Sequence, residues 1–161
     1  MSDDLFWMRL AHSLAESAGR KSEVPVGAVI VKDGRLIGSG INLREQTFQA
    51  TAHAELLAIN QASLWLKAWR LTGCTLYVTL EPCLMCAGAL YQARVDRVVY
   101  AAADPKAGSL GSLYSLHQDS RLNHRYSVES GLMEDEAGQL LKAFFRKRRA
   151  QNLVRAADSK T

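Results

Sequence analysis

The amino-acid sequence predicts an α/β fold: a three-layer α/β/α sandwich around a mixed sheet of about five strands, in one domain over residues 1–161. Three observations predict it. A β-hairpin signal is followed by short apolar runs that alternate with stretches of helical spacing, which implies a mixed sheet with helices on its faces. A chain of 161 residues with 48% hydrophobic and 22% charged side chains suits one globular domain, and a domain of that size buries roughly 70% of its unfolded surface. No repeat, low-complexity stretch or linker divides it.

The elements follow in order. Trp7, Leu10, Ala11, Leu14 and Ala18 recur at helical spacing, so residues 3–20 form an amphipathic helix ending near Gly19. Residues 26–31 and 36–41 are two strand-like runs, and Asp33-Gly34 between them can take positive φ at both positions, a strong hairpin signal. Thr51 can cap a helix that starts at Ala52 and runs through Leu56, Leu57, Ile59 and Leu64. Residues 75–79 read as a short buried strand. Pro82 suits the first position of a helix over about 83–93, where its missing N–H would be unpaired anyway. Residues 97–101 form another strand and 126–128 a weaker one. The last helix starts at about 134. Glu134, Asp135 and Glu136 fill its first turn, and Ala137, Leu140, Leu141 and Phe144 form its apolar stripe. Lys147, Arg148 and Arg149 fall near its end, so both ends match the helix dipole.

Charge is spread unevenly. Residues 142–161 hold seven basic side chains against the single acid Asp158, a net +6, while the first 141 residues hold 13 basic and 15 acidic groups, a net −2. A basic end on a near-neutral body suits a phosphate backbone; cations on a solvated helix end are the plainer alternative. Acids among the first residues do not fit a signal peptide, and no run approaches 18 uncharged apolar residues, so no membrane span is expected and a cytoplasmic location is. Three cysteines, Cys74, Cys83 and Cys86, are an odd number and do not make a disulfide framework. Without an export signal, close-spaced cysteines point to metal or redox chemistry.

The chemistry is carried by His53-Ala-Glu55 and Pro82-Cys-Leu-Met-Cys86, each at the start of a predicted helix. Cys83 and Cys86, three apart, share a helix face, and a helix N-terminus favours the thiolate that binds metal. With the neutral nitrogen of His53 they make a soft N/S₂ set suited to zinc. Three protein ligands leave a fourth position for water, as in a catalytic zinc site. Zinc lowers the pKa of its water to roughly 7. Glu55 beside it can take a proton and return it to a departing amine. This H-x-E…P-C-x-x-C pattern is the signature of zinc deaminases, which remove an amino group from a nucleobase ring by hydrolysis. Two alternatives stand beside it. Cys83 and Cys86 could be a redox pair, which would leave the His-Glu motif idle. Cys74 could be a fourth ligand of a structural zinc, which would make the protein a noncatalytic zinc-bearing RNA-binding module; a core position for Cys74 is the competing reading. His12, His117 and His124 lack ligand spacing and read as surface or packing residues.

Beyond this signature, the chain resembles the bacterial tRNA-specific adenosine deaminases over nearly its whole length. The resemblance is carried by Glu23-Val-Pro-Val-Gly27, Gly40-Ile-Asn42, Thr51-Ala-His-Ala-Glu55 and Thr75-Leu-Tyr-Val-Thr-Leu-Glu-Pro-Cys83. Further on it is carried by Met85-Cys-Ala-Gly88, Arg97-Val-Val-Tyr100, Asp104-Pro-Lys106, Gly111-Ser-Leu113, Asn123-His-Arg125 and the Phe144-Phe-Arg146 helix end. It implies a cytidine-deaminase-like fold, one zinc per chain on His53, Cys83 and Cys86, and Glu55 as proton shuttle. It implies a substrate, the wobble adenosine of a tRNA anticodon loop, converted to inosine. It places Asn42 in the substrate pocket, Asp104 and Lys106 at the target nucleotide, Phe145 and Arg149 near the RNA, and it implies a homodimer. Asn42 and Asp104 can equally be turn residues. Ala50, where the family has proline, and Ala101, where it has glycine, are departures that bear on loop geometry and substrate scope. A free-base or nucleotide deaminase of the same fold, of guanine or cytosine type, is the rival enzyme; it would leave the basic last helix without a use.

Overall fold

The hairpin expected at Asp33-Gly34 is present in a computed structural model that describes residues 2–159. β1 (Gly27–Lys32) and β2 (Arg35–Ile41) pair antiparallel, with Asp33 and Gly34 between them at φ 49° and 69°, the positive values that a two-residue hairpin turn needs. β1 also pairs antiparallel with β3 (Cys74–Leu80). β3, β4 (Arg97–Ala102) and β5 (Ser127–Ser130) are parallel, and the five-stranded order is β2-β1-β3-β4-β5. The mixed sheet of five strands is the one the sequence predicts.

Side chains alternate across this sheet and define the layers. Ala28, Ile30, Leu76, Val78, Val98 and Tyr100 face α3 (Ala54–Leu66) and α4 (Leu84–Gln92). Val29, Val31, Tyr77, Val99 and Ala101 face α1 (Ser2–Arg20) and α5 (Glu134–Asp158). Cys74 is buried in the first of these cores, as a small core residue would be. α3 lies against the sheet backbone itself. A Cβ on Gly38 would stand 2.3 Å from the Ala58 carbonyl, and one on Gly40 would stand 2.2 Å from that of Ala54. Only glycine on the strand, facing an alanine on each helical turn, permits this approach, and it fixes where the N-terminus of α3 sits.

Several boundaries differ from the sequence expectation. α3 begins two residues later, with His53 and not Thr51 at its N-cap. Pro82 stands one residue before the N-cap Cys83, so α4 starts at Leu84. A short α2 (Arg44–Thr47) was not expected; the buried carboxylate of Glu23 closes its start by accepting hydrogen bonds from the N–H groups of Glu45 (3.2 Å) and Gln46 (2.7 Å). α5 continues to Asp158, so Lys147, Arg148 and Arg149 lie mid-helix, and among the described residues Arg155 is the one cation in its last turn. No glycine or proline follows Arg149, and Ala150, Gln151, Leu153, Ala156 and Ala157 sustain the helix. Among the described residues no helix is long and apolar enough to cross a membrane.

Candidate metal centre and substrate cavity

Two helix starts converge at one end of the sheet. His53 is the N-cap of α3, Cys83 is the N-cap of α4 and Cys86 sits in the first turn of α4. The Nδ1 of His53 is 3.7 Å from Cys83 Sγ and 3.5 Å from Cys86 Sγ, and all three donor atoms lie within 4.8 Å of one another. Tetrahedral zinc with Zn–S of about 2.3 Å and Zn–N of about 2.0 Å spaces an N and an S donor about 3.5 Å apart. The trio fits that metal without rearrangement. Among the described residues no fourth side chain joins it. Cys74 is elsewhere in the core, so a closed four-ligand site using it is not built.

The trio's electrostatics follow from its hydrogen bonds. The Cys83 thiol is drawn down to about 4, first by the hydrogen bond from Cys86 and then by His53, against its own burial. Cys86, as the donor to Cys83 and itself buried, is pushed up. His53 is raised by its hydrogen bond with Cys83, against burial. Glu55, in the first turn of α3, is 4% exposed, and burial pushes its carboxyl up to about 7. Glu55 stands beside the trio and is not one of its three donors.

A cavity of about 840 Å³ opens over this floor. His53, Glu55 and Cys83 line its base; Asn42 and Arg44 stand on one side, Asp104, Pro105 and Lys106 on another. α5 forms the remaining wall with Leu141, Lys142, Phe145, Arg146 and Arg149. Every site residue expected from the sequence lines this space except Cys86, the fully buried member of the trio. The plainer readings of two of them also hold. Asn42 accepts from the Arg44 N–H at 3.3 Å and donates to the Val24 carbonyl at 3.4 Å, which fixes the turn out of β2. Asp104 Oδ1 accepts from the N–H groups of Lys106 (3.0 Å) and Ala107 (3.2 Å), so one oxygen closes a turn.

Sequence reasoning missed Arg44, Lys142 and Arg146 in the wall. The last two had a signal, since Lys142, Phe145, Arg146 and Arg149 share a face at three- and four-residue spacing. Arg148 points away, pairing with Glu45 at 3.3 Å and lying over the Phe144 ring. Glu81 and Glu23 were also missed; both are buried acids held mainly by backbone groups distant in the chain, Glu81 also by the Ser112 hydroxyl. His124 serves packing, as expected, its Nε2 donating to the Val95 carbonyl at 2.8 Å.

Comparison with known proteins places this architecture. The model of the MafB19-like deaminases matches residues 2–149. A tRNA-specific adenosine deaminase of Bacillus subtilis is 50% identical over 149 residues, covering 92% of each chain. The chain belongs to the tRNA-specific adenosine deaminase family. A solved tRNA:A34 deaminase, from work on A-to-I editing at the wobble position of transfer RNA, is 44% identical with a TM-score of 0.82, covering 84% of this chain and 99% of that one. A guanine deaminase from Nitrosomonas europaea shares the fold at 25% identity and a TM-score of 0.74, covering 86% of this chain and 82% of that one. The deaminase scaffold is thus common to enzymes of free bases and of tRNA.

Proposed function

We propose that this chain hydrolyses the wobble adenosine of a tRNA anticodon loop to inosine and ammonia, using one zinc ion held by His53, Cys83 and Cys86. The observation that carries the reading is the continuity of one cavity, from the His/Cys/Cys trio and Glu55 at its base to the cationic face of α5 at its wall. When bound, zinc supplies Lewis acidity and an activated water. Glu55 takes one proton from the attacking water and delivers it to the purine ring nitrogen; it then carries the second, from the new C6 hydroxyl, to the amino group, which leaves as ammonia while the C6 carbonyl forms. Its burial excludes bulk water from that exchange, and it stands outside the donor trio.

The remaining residues hold the substrate. Asn42 is placed to hydrogen-bond a purine edge, and Asp104 to accept from a ribose 2′-hydroxyl, the group that marks RNA. Lys106 and Arg149 pair with phosphates, and Phe145, 41% exposed at the cavity rim, offers an aromatic face to an unstacked base. An anticodon loop presents bases already partly unstacked, so extruding one costs little of the few kcal/mol that flipping from a duplex demands. We read the active form as a cytoplasmic homodimer, consistent with this family's resemblance.

A guanine deaminase of the same fold is the second reading, favoured by the shared scaffold. The test is direct. Purified protein is incubated with total bacterial tRNA, and the tRNA is sequenced for adenosine-to-inosine conversion at the wobble position, with guanine and cytosine assayed in parallel. Conversion at that position is expected. Turnover of a free base with tRNA left unchanged would replace the first reading with the second.

A further inference from the structure

Glu81 is 2% exposed, lies two residues before Cys83, and among the described residues has no cation paired with it. Its carboxylate is instead wrapped by the loop over 104–112. Oε2 accepts from the Asp104 N–H at 2.9 Å and from the Ser112 hydroxyl. Oε1 accepts from the N–H groups of Leu110 and Ser112, both at 3.0 Å. The loop is also tied by backbone to the ligand segment. Ser109 N–H donates to the Pro82 carbonyl at 2.9 Å, Gly108 forms an antiparallel bridge with Cys83, and Glu81 N–H donates to the Ala102 carbonyl at 2.8 Å. At Gly108 a Cβ would stand 2.2 Å from the Glu81 carboxylate, so the loop closes on the acid with no room to spare.

A buried acid without a cation is a poor device for stability alone, since well-packed apolar side chains of similar size commonly do as well or better. What four convergent donors on one carboxylate do provide is a single geometry for the segment that bears them. That segment carries Asp104 and Lys106 into the cavity. We infer that Glu81 is a positioning residue: it locks the 104–112 loop to the Pro82-Cys83 segment, holding Asp104 and Lys106 in fixed register with the metal ligands. The role assigned to that loop rests on the RNA reading above.

The test uses full-length, zinc-loaded protein. Glu81→Gln replaces one acceptor with an NH₂ facing donors, and losing one partner of a buried network corresponds to about a tenfold change or more. The expected result is a KM for tRNA raised about tenfold with kcat nearly kept, unchanged zinc stoichiometry, and faster amide exchange at Asp104, Leu110 and Ser112. Gly108→Ala, which crowds the carboxylate from the loop side, should give the same pattern, and Ser112→Ala a weaker one. Val98→Ala, a core change away from the loop, should lower thermal stability without shifting KM. Should Glu81→Gln fail to fold, Gly108→Ala and Ser112→Ala decide the matter. Unchanged KM and unchanged exchange at these amides in the folded variants would overturn the inference, as would a loss confined to kcat or to zinc. If the wild-type protein leaves tRNA untouched, the RNA reading fails, while the exchange measurement still decides whether Glu81 holds the loop.

Discussion

His53, Glu55, Cys83 and Cys86 stand on helix starts pressed against the sheet, whereas Lys142, Arg146 and Arg149 stand on a helix that runs off it. α3 buries Ala54, Glu55, Ala58, Ile59 and Ala62, and α4 buries Cys86, Ala87 and Leu90. In 25 residues α5 buries only Ala137 fully, and every residue from 149 to 159 is exposed. The floor of the cavity is therefore rigid to the extent that a packed core is rigid. The wall is a cationic rod anchored at one end. In the proposed function, chemistry that tolerates little misplacement is assigned to the first, and contacts with a long polyanion, which gain from reach and charge, to the second. One scaffold can then keep its reaction while changing its substrate through the wall.

The sharpest way to break this division is to attack the floor. Removing zinc with a chelator, or replacing Cys86 with Ala, should abolish deamination altogether. Readdition of zinc should restore the chelated wild type and not the variant, with metal content read by elemental analysis. Glu55→Gln is next in size. It should cost about 10²–10⁴-fold in kcat, or more because the shuttle acts more than once, while zinc content and thermal stability stay near wild type. Near-normal turnover by the zinc-loaded variant would assign the proton transfer to another group.

Attacking the wall should give a different signature. Deleting residues 146–161 removes the mostly exposed cationic half of α5 and leaves the buried Ala137 anchor. Affinity for tRNA should fall by about ten- to a hundredfold at low salt, and its dependence on salt should flatten as phosphate contacts are lost. Zinc content should not change. A deletion that abolishes turnover of a bound anticodon stem-loop at saturation would show that the wall shapes the chemistry as well as the grip.

The same division explains what was legible in the sequence. The floor could be read because each pair is local: Glu55 follows His53 by two positions, Cys86 follows Cys83 by three, and each pair sits at a helix start with its own composition signal. The strands and the mixed character of the sheet were legible because apolar runs and the Asp33-Gly34 turn are also local. Glu81 and Glu23 were not, because their partners lie 22 to 31 residues away and, apart from the Ser112 hydroxyl on Glu81, are main-chain N–H groups, which carry no residue signature. α2 escaped for the same reason, since its start is closed by Glu23 and not by a capping residue of its own. The extent of α5 past Arg149 was misjudged because a basic cluster suits a helix end. With no breaker after it, propensity carried the helix on.

The smallest expected effect comes at the loop where floor and wall meet. Asp104 has one oxygen committed to the turn, accepting from the N–H groups of Lys106 and Ala107. Asp104→Asn keeps a carbonyl oxygen able to fill that place, so the turn should persist, and the change falls on the other position, where a charged acceptor becomes a neutral NH₂ donor. Thermal stability and zinc content should therefore be those of the wild type. If Asp104 accepts from the ribose 2′-hydroxyl, the lost charged hydrogen bond is worth about 1.5–3 kcal/mol, a tenfold or greater fall in the preference for RNA over the matching DNA stem-loop. The preference should narrow through weaker use of RNA, read as kcat/KM on the two substrates in one competition assay. An unchanged ratio, in a variant with the turn intact, would leave Asp104 as a turn residue only and move RNA discrimination to another part of the cavity.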